Sequence, residues 1–253
     1  MPHAASEQNH STTYQVWDLP TRLFHWLNVL LVFSLIAVGL ALLNDDPLGL
    51  SKKGMLLLKQ VHVIIGYLFA INLTIRLAWG LVANRYSNWK TLLPFNRAYW
   101  TELNNYLAEV RKTGKKKLYL GHNPLAKLMV TFILLLLIVQ AGTGLVLAGT
   151  DLYYPPFGHS FANWVTNAGN DESKLAALQP GSKEGADPQA YADMRAFRKN
   201  FKVVHYYVFY LLLVAIVLHI SAVIYEETHH NEGLISSMVN GRKRCSEKPA
   251  DLE

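Results

Sequence analysis

The sequence predicts an all-α fold, an integral membrane four-helix bundle with both termini cytoplasmic and a long periplasmic loop between the third and fourth helices. Three observations carry that prediction. Hydrophobic residues make up 51% of the 253, and they are gathered into four blocks long enough to cross a bilayer. Within those blocks they are not confined to one amphipathic stripe, as they would be on a soluble surface helix. The excess of Lys and Arg falls beside the spans, in the middle connection and the C-terminal tail, where cytoplasmic flanks collect cations. Topology therefore accounts for the net charge of +6, and no nucleic-acid partner is called for.

Residues 1–20 are polar, with His3 and His10 among Ser, Gln and Asn, and they lack the pattern of a cleaved signal peptide. They read as a mobile cytoplasmic tail. The first span covers about 21–43, with His25 near its start, and the second about 55–82, with His62 early and Arg76 late. Between them, Asp45, Asp46, Pro47 and Gly49 make a short polar turn, so the two spans are antiparallel neighbours. The stretch from Ala83 to His122 carries Arg85, Lys90, Arg97, Arg111, Lys112, Lys115, Lys116 and Lys117 against Glu102 and Glu109, and reads as cytoplasmic.

The third span, about 124–148, ends in AGTGLVLAG, whose glycines allow a neighbouring helix to approach closely. Residues 149–200 follow with YYPPFG and charges of both signs, then the fourth span, about 201–225, and a cytoplasmic tail over 226–253. The membrane domain is thus 21–225. Cys245, the one cysteine, forms no internal disulfide, and the absence of CxxCH excludes covalent haem attachment of the c type.

The fourth span holds two histidines, His205 and His219, fourteen residues apart. At about 100° and 1.5 Å per residue they lie about 40° apart on one face and roughly 21 Å apart along the axis, one near each membrane surface. A buried imidazole needs partners for its ring nitrogens, and iron coordination is among the few that would require two such sites stacked through a bilayer. Orientation converts the remaining positions into depths. His25 enters from the cytoplasmic side and shares a level with His219, whereas His62 enters from the outer side and shares a level with His205. The expectation is an inner haem on His25 and His219 and an outer haem on His62 and His205. Two ligands per iron leave no open position, which points to electron transfer and not oxygen chemistry.

Arg76 follows His62 by fourteen residues, placing a guanidinium at the inner level where it suits a haem propionate. Gly39 follows His25 by fourteen, and Gly66 follows His62 by one turn; both leave room for a porphyrin. Each feature has a plainer reading. A lone intramembrane histidine is often a helix-to-helix hydrogen-bond donor or a proton relay, Arg76 lies close enough to the cytoplasmic surface to snorkel, and glycines serve close packing.

The strings VWDLPTRLFHW, HVIIG, NRYS, GHNPLA and GLISSMVNGRK, with the paired histidines of the fourth span, resemble the bacterial cytochrome b561 family, which includes the cytochrome b subunits of nickel-iron hydrogenases. The resemblance covers nearly the whole chain apart from the tails and residues 149–200. It implies a four-helix subunit of the bacterial cytoplasmic (inner) membrane holding two haem b groups, bis-histidine ligated, the ligands falling on His25, His62, His205 and His219. It further implies electron transfer between a redox partner at the outer surface and quinone near the cytoplasmic side. His122 and Asn123 in GHNPLA are the candidate quinone residues, with Asn123 as a helix cap the alternative.

The long outer segment is the main departure from the hydrogenase subunits, and it leaves the partner open between hydrogenase, a periplasmic c-type cytochrome and another periplasmic or membrane-anchored dehydrogenase. Its length and aromatics suit a protein docking surface. A free-standing enzyme passing electrons from superoxide or another small molecule to quinone is the first alternative, with Lys52, Lys53, Arg198, Lys199 and Lys202 as a basic ring. A haem-free transporter or assembly factor is the second. Whether the chain is a catalytic subunit stays undecided on sequence, as does a homo-oligomer.

Overall fold

A computed structural model describes residues 12–114, 116–169, 171–230 and 233–252, so that His3, His10 and Lys115 lie outside the described residues. The elements in chain order are β1 (Thr12–Gln15), α1 (Leu19–Leu43), α2 (Lys52–Trp79), α3 (Trp89–Leu92), α4 (Arg97–Thr113), α5 (Pro124–Asp151), α6 (Gly158–Thr166), α7 (Glu172–Ala177), α8 (Pro188–His230), α9 (Leu234–Asn240) and β2 (Arg242–Cys245). Four of these helices, α1, α2, α5 and α8, are long and apolar enough to cross a membrane. At most 22% of the most apolar window of any of them is buried, and Leu30, Phe33, Ile64, Leu68, Phe132, Leu135, Val214 and Leu218 stand exposed. Leaving such side chains in water forfeits roughly 1.5–3 kcal/mol each. A handful would cancel a net stability of about 5–15 kcal/mol, so the solvent for these faces is lipid.

All four long helices begin in the same way, with a short polar side chain accepting from the amide three residues on. Asp18 Oδ1 accepts from Thr21 N–H at 2.9 Å, Ser51 Oγ from Gly54 at 3.1 Å, Asn123 Oδ1 from Ala126 at 2.8 Å and Asp187 Oδ1 from Ala190 at 2.8 Å. Pro124 and Pro188 take the first helical position of α5 and α8, where no amide hydrogen is missed.

The helix ends depart from the sequence reading. α2 stops at Trp79, short of Val82, because the Trp89 ring lies over Gly80, where a Cβ would stand 2.0 Å from it. Trp89 Nε1 donates to Leu77 O at 2.8 Å and fixes that cover. α8 is 43 residues, about 65 Å of continuous helix against a hydrocarbon layer of about 30 Å, and the expected span over 201–225 is only its middle. Helices α6 and α7 and the first turns of α8 occupy much of what the sequence left as a loop over 149–200.

One compact unit comprises residues 1–25, 76–134 and 214–253. Here the expectation of a mobile tail over 1–20 is overturned for its described part. β1 pairs antiparallel with β2, Thr12 opposite Cys245 and Gln15 opposite Arg242. Val16 and Trp17 are buried with Leu120 and Cys245, and Tyr14, Tyr86, Leu118, Met238 and Leu252 pack around them. Trp17 Nε1 donates to Ser237 Oγ at 3.3 Å. The expected C-terminal tail is likewise built in: Lys243, 2% exposed, donates to Tyr119 O at 2.6 Å, and the Asp251 carboxylate accepts from Leu120 N–H at 2.7 Å and Gly121 N–H at 2.9 Å.

The other unit comprises residues 26–75 and 135–213. Asp151 pairs with both Lys59 and Arg198 at 2.9 Å, tying α2, α5 and α8 together. Asn72 Nδ2 donates to Asn28 Oδ1 at 2.7 Å, joining α1 and α2 by a polar contact that lipid could not supply. Phe161, Trp164, Phe197 and Phe201 stack against one another beside α6.

Gly241 is the latch of the terminal sheet. Its φ is 82°, its carbonyl accepts from the amides of Val16 and Trp17, and a Cβ there would stand 2.6 Å from Gln15 Nε2 and 2.7 Å from Trp17 O. Gly241→Ala is expected to cost about 1–2 kcal/mol from its left-handed backbone alone, plus the crowding, and to expose residues 12–18 to protease. Gly49→Ala, at φ 62° with nothing within 4 Å of the added Cβ, sets the comparison. Limited proteolysis in detergent checks this; equal cleavage of the two variants would remove Gly241 as the latch.

Candidate cofactor site

His25, His62, His205 and His219 on the long helices come within electrostatic range two by two, one pair in each unit. In the unit of residues 26–75 and 135–213, His62 on α2 lies within electrostatic range of His205 on α8. Each ring rests against a glycine of a neighbouring helix. A Cβ at Gly39 on α1 would stand 3.6 Å from His62 Cε1, and one at Gly144 on α5 would stand 3.3 Å from His205 Cε1. The contact at Gly144 is tighter than ordinary van der Waals packing, and the one at Gly39 is ordinary. Gly66 and Gly142 face open space, with nothing within 4 Å of an added Cβ.

The two rings of this pair are held differently. His205 Nδ1 is 2.9 Å from Thr143 Oγ1, and its Nε2 is 3.1 Å from Gln140 Nε2. His62 Nδ1 is buried without a hydrogen-bond partner, as is Gln140 Oε1. Gln140, Thr143 and Gly144 were not read as site residues from the sequence. Their signal was present, since two polar side chains one turn apart in an otherwise apolar span share a face.

In the unit of residues 1–25, 76–134 and 214–253, His25 on α1 lies within electrostatic range of His219 on α8. Arg76 does not snorkel freely. Its guanidinium sits 4.4 Å over the Trp89 ring and donates through Nη2 to Ser87 O at 3.3 Å, while Nη1 is buried without a partner. Asp18, which the sequence reading passed over, anchors the same region: it caps α1 and accepts from Trp79 Nε1 and Asn84 N, both at 3.4 Å.

His122 packs on Trp17 with ring centroids 4.9 Å apart, and its Nδ1 is buried without a partner. Burial first, then the nearby His219, Lys127, Arg76 and Lys243, push its pKa down to about 3. At neutral pH it is an uncharged imidazole that offers a neutral hydrogen bond, not a stored proton. Asn123 is a different case. Its oxygen caps α5 by accepting from Ala126 N–H, which leaves its amide nitrogen as the group that could donate to a quinone carbonyl. Of the cations invoked for a small-molecule oxidoreductase, Arg198 pairs with Asp151 at 2.9 Å.

These features fit a flat ligand with carboxylate arms. The imidazoles would offer ring nitrogens to an iron, Gly66 and Gly142 face open space, and Arg76 Nη1 is a buried donor lacking an acceptor. Among the described residues no group of three or more His, Cys, Asp or Glu forms a cage for a bare metal ion, whereas a haem iron draws only two protein ligands.

The depressed pKa of His122 gives a signed pH dependence. The unfolded chain takes up that proton near pH 6.5 and the folded one only near 3, so acid favours unfolding in this window. The stability gap between wild type and His122→Gln is expected to shift against wild type below about pH 6.5, by up to about 1.4 kcal/mol per pH unit. Denaturant unfolding at pH 7 and pH 5 measures it, and a gap independent of pH would contradict the burial of a neutral ring.

The family model described as prokaryotic cytochrome b561 matches residues 16–241. A protein of Cupriavidus necator named probable Ni/Fe-hydrogenase B-type cytochrome subunit is 25% identical over 94% of this chain and 89% of its own length. One of the same name from Azotobacter vinelandii is 26% identical over 91% of this chain and 88% of its own. A probable Ni/Fe-hydrogenase 1 B-type cytochrome subunit of Escherichia coli is 25% identical over 60% of this chain and 67% of its own. No solved structure matches significantly. Four candidate spans, paired intramembrane histidines and a family match over most of the length lead to one conclusion: this chain belongs to the prokaryotic cytochrome b561 family, multi-pass b-type cytochromes of the bacterial inner membrane that bind haem b and transfer electrons.

Proposed function

We propose that this chain carries electrons between a periplasmic redox partner and the membrane quinone pool, as an electron-transfer subunit and not a catalytic one. The observation that carries the reading is that His25 on α1 lies within electrostatic range of His219 on α8, and His62 on α2 within that of His205 on α8. Two haem b groups held by those pairs would supply one-electron carriers with both axial positions filled. Arg76 Nη1 is the donor offered to a propionate, and Gly39, Gly66 and Gly144 keep the space around the rings clear. Both termini are assigned to the cytoplasm, a placement supported by Arg85, Lys90, Arg97, Arg111 and Lys112 in the unit that contains them.

That orientation puts His122 on the cytoplasmic side, where quinone reduction would draw protons. Its buried, partnerless Nδ1 and its neighbour Trp17 support a hydrogen bond to a quinone carbonyl. The proposed docking surface for the periplasmic partner is α6, α7 and the first turns of α8, with Trp164 and Phe197 exposed. The relatives' names make a nickel-iron hydrogenase the first partner to test.

In proteoliposomes of the haem-loaded protein, a reductant confined to the periplasmic side should reduce the cytochrome, and added quinone should reoxidise it. His122→Leu should slow reoxidation roughly tenfold, the worth of one hydrogen bond, at unchanged haem content. A cytochrome that quinone fails to reoxidise contradicts the proposed acceptor; full speed in the variant removes His122 from the quinone site.

A further inference from the structure

Thr143 and His205 make an asymmetric contact that says which ring nitrogen carries the hydrogen. Thr143 Oγ1 lies 2.7 Å from Val139 O and 3.2 Å from Gln140 O, so its own hydrogen is directed to the carbonyls of the preceding turn, as threonine in a helix commonly does. Facing His205 Nδ1 at 2.9 Å, the hydroxyl oxygen then accepts, and Nδ1 is the protonated nitrogen. Nε2 is left with its lone pair, which accepts from Gln140 Nε2 at 3.1 Å. Gly144, the next residue after Thr143, lets His205 Cε1 within 3.3 Å of its Cβ position. The ring is thus oriented from two adjacent positions of α5. His62 has no such support, since its Nδ1 is buried without an acceptor.

We infer that Thr143 is a positioning residue for His205, holding Nδ1–H so that Nε2 is presented to iron, and that it makes the two ligands of this pair electronically unequal. The inference rests on the reading of His205 as an iron ligand. A hydrogen bond from the far nitrogen fixes a ligating imidazole's tautomer and raises its basicity. A more basic ligand favours the oxidised, more positive iron, so losing the acceptor should raise the midpoint potential of that haem. A merely structural threonine, packing α5 against α8, would affect stability or haem retention and leave the potential alone.

Thr143→Val keeps the shape and removes the acceptor, and Thr143→Ser keeps the acceptor. Optical redox titration of the purified haem-loaded protein should show one midpoint shifted upward in the valine variant, the other unmoved, and both at wild-type values in the serine variant. Two haems with unaltered midpoints in Thr143→Val would overturn the inference. If valine expels one haem, serine decides: retention at the wild-type midpoint supports the acceptor role, and the same loss in serine refutes it. His205→Ala run alongside separates the underlying reading, because two haems retained there would show that His205 is not a ligand and would take this inference with it.

Discussion

An imidazole inside a bilayer has no water to satisfy its nitrogens, and α8 carries two of them on one unbroken helix. The rest of the membrane domain answers that constraint. α1 and α2 each bring one opposing histidine, and α5 brings glycines and polar side chains in place of ligands. The close approach of the His205 ring to Gly144 shows why α5 carries a residue without a side chain there, whereas at Gly39 a Cβ would only touch the His62 ring. Any Cβ at Gly144 would press the imidazole at a distance tighter than ordinary van der Waals contact.

Several of the buried polar atoms left without a partner gather around the histidines. A buried donor or acceptor without a partner costs about 1–3 kcal/mol. His62 Nδ1, Gln140 Oε1, Arg76 Nη1 and His122 Nδ1 all carry that cost at positions drawn from the histidine pairs or their surroundings. Other polar groups are satisfied within the chain: Asp251 by two backbone amides, Asp151 by two cations, and Asn28 by Asn72.

Much of this was legible in the sequence because it depends on local, periodic signals. Four apolar blocks gave the four spans, and the depth of each histidine in its span gave the pairing on which the proposed haem sites rest. What stayed hidden depends on contacts between residues far apart in the chain. Four residues of β1 find β2 some 230 positions later, a pairing too short to announce itself by alternation, and Val16 and Trp17 looked like part of a polar tail. The end of α2 was set by Trp89 folding back over Gly80, again invisible to hydropathy. Thr143 was overlooked because AGTGLVLAG was read only as a place for close helix approach, and Gln140, just before it, was not read at all.

The central claim is that two histidine pairs, and no other pairing, each hold one haem b. Haem content per chain, measured as the pyridine haemochrome of purified protein, tests it across single alanine replacements. The account predicts two haems in the wild type, loss of one and the same haem on replacing His25 or His219, and loss of the other on replacing His62 or His205. A wild type with fewer than two haems, or a replacement series in which the losses cross between the pairs, would contradict it.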